Sequence, residues 1–415
     1  MPHTSAGRRR RAWAVVAGIA AVVLAAAMPS AAAARTDATA RAATAATAAT
    51  AATADGSYIV TLKEGAQGLR ADSEGGRELA ARYGARISRT YSTALNGYAV
   101  RANRTQAERL AADPHIASVA PDTQVSLRTR QQNSQQHPQS WGLDRIDQPD
   151  RTLDASYTSP RSAGRGTTIY VLDTGVRTTH RDFGGRARSG WDFVNNDAVA
   201  EDGNGHGTHI AATAAGSAYG VAKQADIVAV KVLDDTGQGT SAQVLAGLDW
   251  VMEHAHRPAV VNLSLGATQD APIPEWDEAV RSGIASGLTF TVAAGNQNRS
   301  AGSYSPGRVA GAITVGSTGP DDRRSAFSNW GPAVDLFAPG ERIVSASNTS
   351  DTGSKVMSGT SMAAPHAAGA AALYLADHPR AAPAQVSAAL TAHAAKGKVR
   401  NAGTGSPNRL LQVGN

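Results

Sequence analysis

The chain has 415 residues, 40 Lys and Arg against 34 Asp and Glu, a formal net charge of +6 at pH 7, and no cysteine. That length has room for two or three domains of about 100 to 200 residues each, and the missing thiol excludes disulfides, cysteine nucleophiles, iron–sulfur clusters and thiolate zinc sites. The positive charge alone would suggest an acidic partner such as nucleic acid, but residues 1–130 hold 17 of the basic and 9 of the acidic side chains, leaving 23 against 25 downstream. No basic stripe interleaved with aromatics is present, so no nucleic-acid partner is expected.

Arg8 to Arg11 form a basic cluster, the stretch Ala12 to Met28 is apolar, and small residues end at Ala32-Ala-Ala34. This is the pattern of a secretory signal peptide cleaved after Ala34. The apolar run is short for an uncleaved membrane anchor, so no membrane attachment is expected once it is removed. Residues 35–56 read as a low-complexity linker, because Ala-Ala-Thr repeats between Ala42 and Thr53 without bulky side chains to bury. Residues 57–127 alternate a strand (Ser57 to Lys63), a helix (Arg77 to Tyr83), a strand (Asn96 to Arg101), a helix (Gln106 to Ala112) and a strand (Ile116 to Ala120). That order predicts a small ferredoxin-like α+β domain.

Residues 128–140 link it to a larger domain, 141–415. Continuous apolar runs there (Thr167–Leu172, Asp226–Val230, Ala259–Leu263, Leu288–Ala293 and Ala312–Val315) lack the alternation of a half-exposed strand and predict strands buried on both faces. Helical patterns lie between them. One starts at Ser241 as N-cap and puts Val244, Leu248, Val251 and Met252 on one face. The fold class is therefore α/β, a mostly parallel sheet with helices on both sides and its site at the carboxyl ends of the strands.

Three glycine-flanked segments follow in the order Asp, His, Ser: Val171-Leu-Asp173-Thr-Gly-Val176, Gly203-Asn-Gly-His206-Gly-Thr-His209 and Ser358-Gly-Thr-Ser361-Met-Ala-Ala-Pro-His366. Ser361 is the expected nucleophile, His206 the base that takes its proton, and Asp173 the buried anion that fixes the imidazole tautomer. Ser361 opens an alanine-rich helix, Met362 to Leu375, whose free N–H groups and positive dipole end favour a developing oxyanion. Three other chemistries fit less well. An aspartic peptidase needs a second Asp-Thr-Gly in a strand context, and Asp351-Thr-Gly353 sits among polar residues. A zinc hydrolase lacks its His-Glu-x-x-His, and an α/β-hydrolase esterase requires Gly-x-Ser-x-Gly with Ser ahead of Asp ahead of His.

Through these segments, and through Tyr219-Gly-Val-Ala-Lys223, Val230-Lys-Val-Leu-Asp234, Asn262-Leu-Ser-Leu-Gly266, Ala293-Ala-Gly-Asn-Gln297 and Phe327-Ser-Asn-Trp-Gly331, the chain resembles the subtilisin-like serine peptidases of the proteinase K and aqualysin branch. The resemblance spans roughly Trp141 to Leu411. It implies a three-layer subtilisin-like domain and a secreted, monomeric endopeptidase acting on proteins and peptides. His209 would take a supporting place beside His206, and Asn296 would give a side-chain N–H to the oxyanion.

An extended substrate would add to backbone in Ser264-Leu265-Gly266 on one side and Gly237-Gln238-Gly239 on the other. Ser264 to Gly266 with Ala293, Ala294 and Gly295 would line an uncharged P1 pocket suited to apolar or aromatic side chains. Leu95-Asn-Gly-Tyr-Ala-Val100 and Ile116-Ala-Ser-Val-Ala-Pro121-Asp resemble the subtilisin propeptide, an inhibitor and folding chaperone whose tail, Gln124 to Gln136, would occupy the cleft before cleavage between about Arg128 and Ser134. Structural calcium is implied at Asp335 with the carbonyls of Ala310 and Ala312, and at Asp144, Asp147 and Gln148. Ile210, Ala212, Ala267, Ala364 and Ala368 depart from the usual residues of the family, all outside the proton-transfer set.

Overall fold

The computed structural model describes residues 55–63, 69–126, 130–131, 140–266 and 272–413. The expected signal peptide, nearly all of the linker, most of the processing segment and Ala267 lie outside them. The chain divides into Met1–Thr53 and Ala54–Asn415, and every described residue belongs to the second unit.

The N-terminal elements are β1 (Asp55–Leu62), α1 (Glu74–Arg82), β2 (Arg86–Tyr91), β3 (Gly97–Asn103), α2 (Arg104–Ala111) and β4 (Ile116–Pro121), and short strands β5 (Gln124–Ser126) and β6 (Arg130–Gln131) follow. Four of the strands form an antiparallel sheet in the order β2-β3-β1-β4, the ferredoxin-like arrangement. Its helices are capped: Ser73 accepts from Gly76 N–H, and Asn103 and Gln106 cap each other's backbone. Strand β2 is absent from the sequence expectation. It is an edge strand, only Tyr91 in it is fully buried, and so its residues give little apolar signal.

Next come α3 (Trp141–Ile146), β7 (Thr168–Asp173), β8 (Ala187–Asp192), α4 (His206–Ala215), β9 (Asp226–Lys231), β10 (Gln238–Thr240), α5 (Ser241–His254), β11 (Ala259–Leu263), α6 (Pro274–Ala285), β12 (Thr289–Ala293) and β13 (Ile313–Thr318). The chain ends with β14 (Leu336–Pro339), β15 (Ile343–Ala346), β16 (Ser354–Ser358), α7 (Thr360–Asp377), α8 (Pro383–His393), β17 (Ala395–Lys396) and β18 (Arg409–Leu410). The nine-stranded sheet has the order β17-β18-β14-β13-β12-β11-β7-β9-β8, parallel apart from the β17–β18 pair. Alternate residues of its strands feed two cores. Ile169, Val171, Ile227, Ala229 and Val260 pack with residues of α4, α7 and α8, whereas Tyr170, Leu172, Val228, Val230 and Val261 pack with α5 and α6. This gives the three layers and explains why the strands read as continuous apolar runs.

The first turn of α5 differs in detail from expectation. Its N-cap is Thr240, whose hydroxyl accepts from Gln243 N–H while the Gln243 side chain accepts from Thr240 N–H. Ser241 is already helical, and Met252 is only partly buried.

Near the start of the large domain, Arg145 is buried and makes a forked contact with Asp322, at 2.7 and 3.0 Å. Its third bond goes to the Gln148 carbonyl, at 2.9 Å. Besides His206, two imidazoles are wholly buried. His209 donates from Nε2 to the Ile343 carbonyl at 3.0 Å and His366 from Nδ1 to the Met362 carbonyl at 2.8 Å. Burial holds both neutral, pushing His209 down to about 3 and His366 down to about 4.

Two stability predictions follow from these groups, both read by urea unfolding of the Ser361→Ala chain, which cannot digest itself. Arg145→Leu strands the Asp322 carboxylate and should cost about 3–5 kcal/mol; a loss below about 1 kcal/mol would contradict the buried pair. The unfolded state takes protons on both imidazoles near pH 6.5, whereas the native state refuses them until about 4 or 3. Their contribution is therefore neutral above pH 6.5 and destabilising as pH falls from 6.5 towards 4, by about 1.4 kcal/mol per pH unit for each group. His366→Leu should flatten that slope by one such increment.

Candidate active site

Strand β7 is buried along its whole length and delivers Asp173 to the carboxyl edge of the sheet. The Asp173 carboxylate is fully shielded from solvent; its Oδ1 accepts from Thr174 N–H at 2.8 Å and from His206 Nδ1 at 2.6 Å. That contact puts the proton of the neutral ring on Nδ1 and leaves Nε2 as the basic lone pair. His206, also fully buried, is the first residue of α4, and its Nε2 has no hydrogen-bond partner among the described residues. Two glycines permit the approach. Gly205 has φ +99° at the N-cap, and a Cβ on Gly207 would lie 2.0 Å from the Gly175 carbonyl oxygen.

Ser361 is the second residue of α7. Its Oγ donates to the Ser264 carbonyl at 3.0 Å, and Ser264 Oγ returns a bond to the Ser361 carbonyl at 2.9 Å. Asn262 at the end of β11 holds Ser264 Oγ at 2.8 Å. Since Leu263 pairs with Leu172, Ser264 and Asp173 leave neighbouring strands at the same level, and the clasp brings Ser361 to that edge. The Asn296 Oδ1 accepts from Thr360 N–H at 2.8 Å and from Thr360 Oγ at 2.9 Å, which makes Nδ2 the donating end of its amide. The Ser361 N–H is in the first turn of α7, where backbone donors have no intrahelical acceptor.

Part of the backbone expected to receive substrate is paired with the chain's own N-terminal part. β5 runs antiparallel to β10, with Ser126 opposite Gln238, Val125 opposite Gly239 and Gln124 opposite Thr240. Gly237 does not join this ladder as expected: at φ +78° it closes a turn back to the Asp234 carbonyl, and Thr240 takes a place in the strand instead. β6 pairs on the other flank with β16, Arg130 opposite Ser358. Between the flanks is a pocket lined by Ser264, Leu265, Gly266, Ala293, Ala294, Gly295, Asn296 and Ser361, together with Ser126. Gln297, Thr360, Tyr304 and Ser305 complete it; Tyr304 and Ser305 lie outside the motif strings, in a segment that only the tertiary fold brings back to the pocket. Asp351, the alternative aspartate, instead accepts from Arg177 and Thr179, both at 2.7 Å.

At the first expected cation position, Asp335 Oδ2 accepts from Thr314 N–H at 2.8 Å, and burial pushes its carboxyl up. Ala310 and Ala312 bridge around Gly311 shortly before Thr314. At the second, Asp144 takes the N–H groups of Asp154 and Ala155, and Asp147 takes that of Thr158. Burial, then the charges of Asp154 and Asp144, push Asp147 up, and its Oδ1 is buried without a partner among the described residues. Excess negative charge around an orphaned oxygen fits a hard cation. Gln148 turns its Nε2 towards the Asp150 and Thr152 carbonyls. Among the described residues no three His, Asp or Glu side chains converge as a metal cluster, so either position would need backbone oxygens.

The "Subtilase family" model matches residues 164–414 and the "Peptidase inhibitor I9" model residues 57–128. An extracellular serine proteinase of Thermus sp. (strain Rt41A) is 45% identical over 374 residues, 86% of this chain and 89% of that protein. The alkaline serine exoprotease A of Vibrio alginolyticus is 46% identical over 330 residues, 79% of this chain, which spans 60% of that longer protein. A solved cold adapted subtilisin-like serine proteinase shares 50% identity with a TM-score of 0.64, covering 67% of this chain and 99% of its own. With the parallel sheet, the buried Asp173–His206 contact and Ser361 at the edge of the same sheet, these matches make the chain a member of the subtilase family of serine endopeptidases, carrying a peptidase inhibitor I9 domain ahead of the protease domain.

Proposed function

We propose that this chain is a secreted endopeptidase, made as a zymogen that cuts itself, and that Asp173, His206, Ser361 and Asn296 carry the reaction. The observation that supports this best is the 2.6 Å contact of Asp173 with His206 Nδ1. In the mechanism, Ser361 Oγ leaves the Ser264 carbonyl, passes its proton to His206 Nε2 and attacks the scissile carbonyl to form a tetrahedral intermediate. Asp173 stabilises the imidazolium, which protonates the amine as the C–N bond breaks, and water activated by His206 then hydrolyses the resulting acyl-enzyme and frees Ser361. Ser361 N–H and Asn296 Nδ2 donate to the oxyanion, where loss of one donor costs about 10² to 10³ in kcat, as in subtilisin.

The pocket lining of Ala, Gly, Leu and Ser residues supports broad acceptance of apolar and aromatic P1 side chains. Secretion rests on the sequence of residues 1–34 and on the extracellular relative; among the described residues no helix is long and apolar enough to cross a membrane. The flanking pairs β5–β10 and β6–β16 favour a processing bond between Ser126 and Arg130, an interval that begins ahead of the expected Arg128 to Ser134 and overlaps it only at its N-terminal end. Structural calcium would be held by Asp335 with the Ala310 and Ala312 carbonyls, and by Asp144, Asp147 and Gln148 together with backbone oxygens. It would neutralise carboxylates that burial otherwise strains, with no part in the chemistry.

Two experiments test the reading. Residues 35–415 should convert to two fragments with adjoining ends between Ser126 and Arg130, read by intact mass, and should then hydrolyse casein. Ser361→Ala should remain one chain, with kcat reduced by about 10⁶, the loss seen when this serine is removed from subtilisin; processing retained in that variant would end the autocatalytic account. In Ser361→Ala, calcium at about 100 times its Kd should add about 2.7 kcal/mol for each occupied site, and a chelator should remove it. An unfolding midpoint indifferent to chelation would eliminate the calcium proposal.

A further inference from the structure

Thr174, the residue after Asp173, has each of its polar atoms held by a different group. Its N–H donates to Asp173 Oδ1 at 2.8 Å and its hydroxyl to Asp202 Oδ1 at 2.8 Å. Its hydroxyl oxygen accepts from Gly207 N–H at 3.0 Å, and its carbonyl accepts from the buried Lys231 ammonium at 2.6 Å. Lys231 in turn meets Asp235 at 2.8 Å.

Asp202 is 4% exposed and belongs to no helix or strand. Beyond Thr174, its Oδ1 accepts from the N–H groups of Asn204 at 3.0 Å and Gly205 at 2.8 Å. Its Oδ2 accepts from the Thr208 N–H at 2.8 Å and the Thr208 hydroxyl at 2.5 Å. The Thr208 hydroxyl oxygen then takes Arg177 N–H at 3.0 Å. One carboxylate thus grips both the turn after β7 and the first turn of α4, the two segments across which His206 meets Asp173. A helix cap would need only the α4 donors; the bond to Thr174 reaches the opposite segment.

We propose that Asp202 is a positioning residue for peptide hydrolysis. Its carboxylate fixes the His206 ring relative to Asp173 by tying Thr174 to Thr208, and Lys231 anchors the other end of Thr174. Five donors converge on two acceptor oxygens, an arrangement an amide cannot reproduce, because its NH₂ would face N–H and O–H donors. A displacement of about 1 Å at such a pair costs on the order of 100-fold in rate, whereas substrate binding to the backbone strands is untouched. The inference rests on the triad reading above, and its test separates the two.

Parent, Asp202→Asn, Thr174→Val, Thr174→Ser and the double variant Asp202→Asn/Thr174→Val are compared as full chains. The readouts are kcat and KM on a peptide anilide, with active sites counted by a fluorophosphonate and folding checked by urea unfolding. Asp202→Asn and Thr174→Val should each lower kcat tenfold or more with KM within threefold. The double variant should lose no more than the worse single one, since both break one link, and Thr174→Ser, which keeps the hydroxyl, should exceed Thr174→Val at least fivefold. A folded Asp202→Asn enzyme with kcat within twofold of the parent, or losses that multiply in the double variant, overturns the proposal. Should Asp202→Asn yield no folded enzyme, the Thr174 pair decides, and equal kcat values for Val and Ser overturn it. Activity persisting in Ser361→Ala sinks the triad reading instead, whatever Asp202 does.

Discussion

The contact between Asp173 and His206 places an acid and a base fully out of water, 2.6 Å apart, on two segments that are 33 residues distant in the chain. An uncompensated carboxylate in such a place would cost several kcal/mol, so the surrounding structure is arranged to supply donors. Thr174 N–H and the imidazole N–H take the same oxygen. The strand that carries Asp173 is buried on both faces because helices cover them, and the helix that carries His206 can come close enough only because Gly207 has no side chain to meet the Gly175 carbonyl. Sheet, helix and turn are therefore one mechanical unit. The same closeness buries His209 one turn further along α4 and holds it neutral.

The N-terminal domain uses the protease domain as part of its own core. Along β1, Ile59 packs into the cluster shared with α5 and α6, whereas the adjacent Val60 packs with Leu79 and Leu110 inside the domain. Polar contacts fix the docking. Asp122 accepts from Ala242 N–H at the start of α5, Asp249 on α5 accepts from Thr93 and Ala94 N–H, and the Tyr91 hydroxyl donates to the Ala242 carbonyl. These bonds lead directly into β5, which occupies the backbone edge of β10. The docked domain thereby lays its own tail antiparallel along β10 at the edge of the protease domain.

Much of this was legible beforehand for a physical reason. Parallel strands buried on both faces leave long apolar runs, and polar residues in glycine-flanked bends leave short recognisable strings; Asp173 belongs to both signals, His206 and Ser361 to the second. Edge strand β2 gave no such signal, having one face in water and a single fully buried residue. The cap of α5 was misplaced by one residue because Thr240 and Ser241 are both good caps and only the reciprocal bonds with Gln243 distinguish them. Gly237 looked like open strand, yet its positive φ makes it a turn.

The sequence by itself determined the layer architecture, the identity and order of the candidate Asp, His and Ser side chains, and the presence of an inhibitor-like domain, since each is written in local periodicity or in a contiguous string. Tertiary structure decided everything that depends on residues far apart in the chain meeting. It placed Asp202 between Thr174 and Thr208, brought Tyr304 and Ser305 to the pocket, bonded the Asp154 N–H to the Asp144 carboxylate, and set the register of β5 on β10. A carboxylate, a hydroxyl or an amide takes its role from what stands within about 3 Å of it, and no local pattern records which distant neighbour that will be.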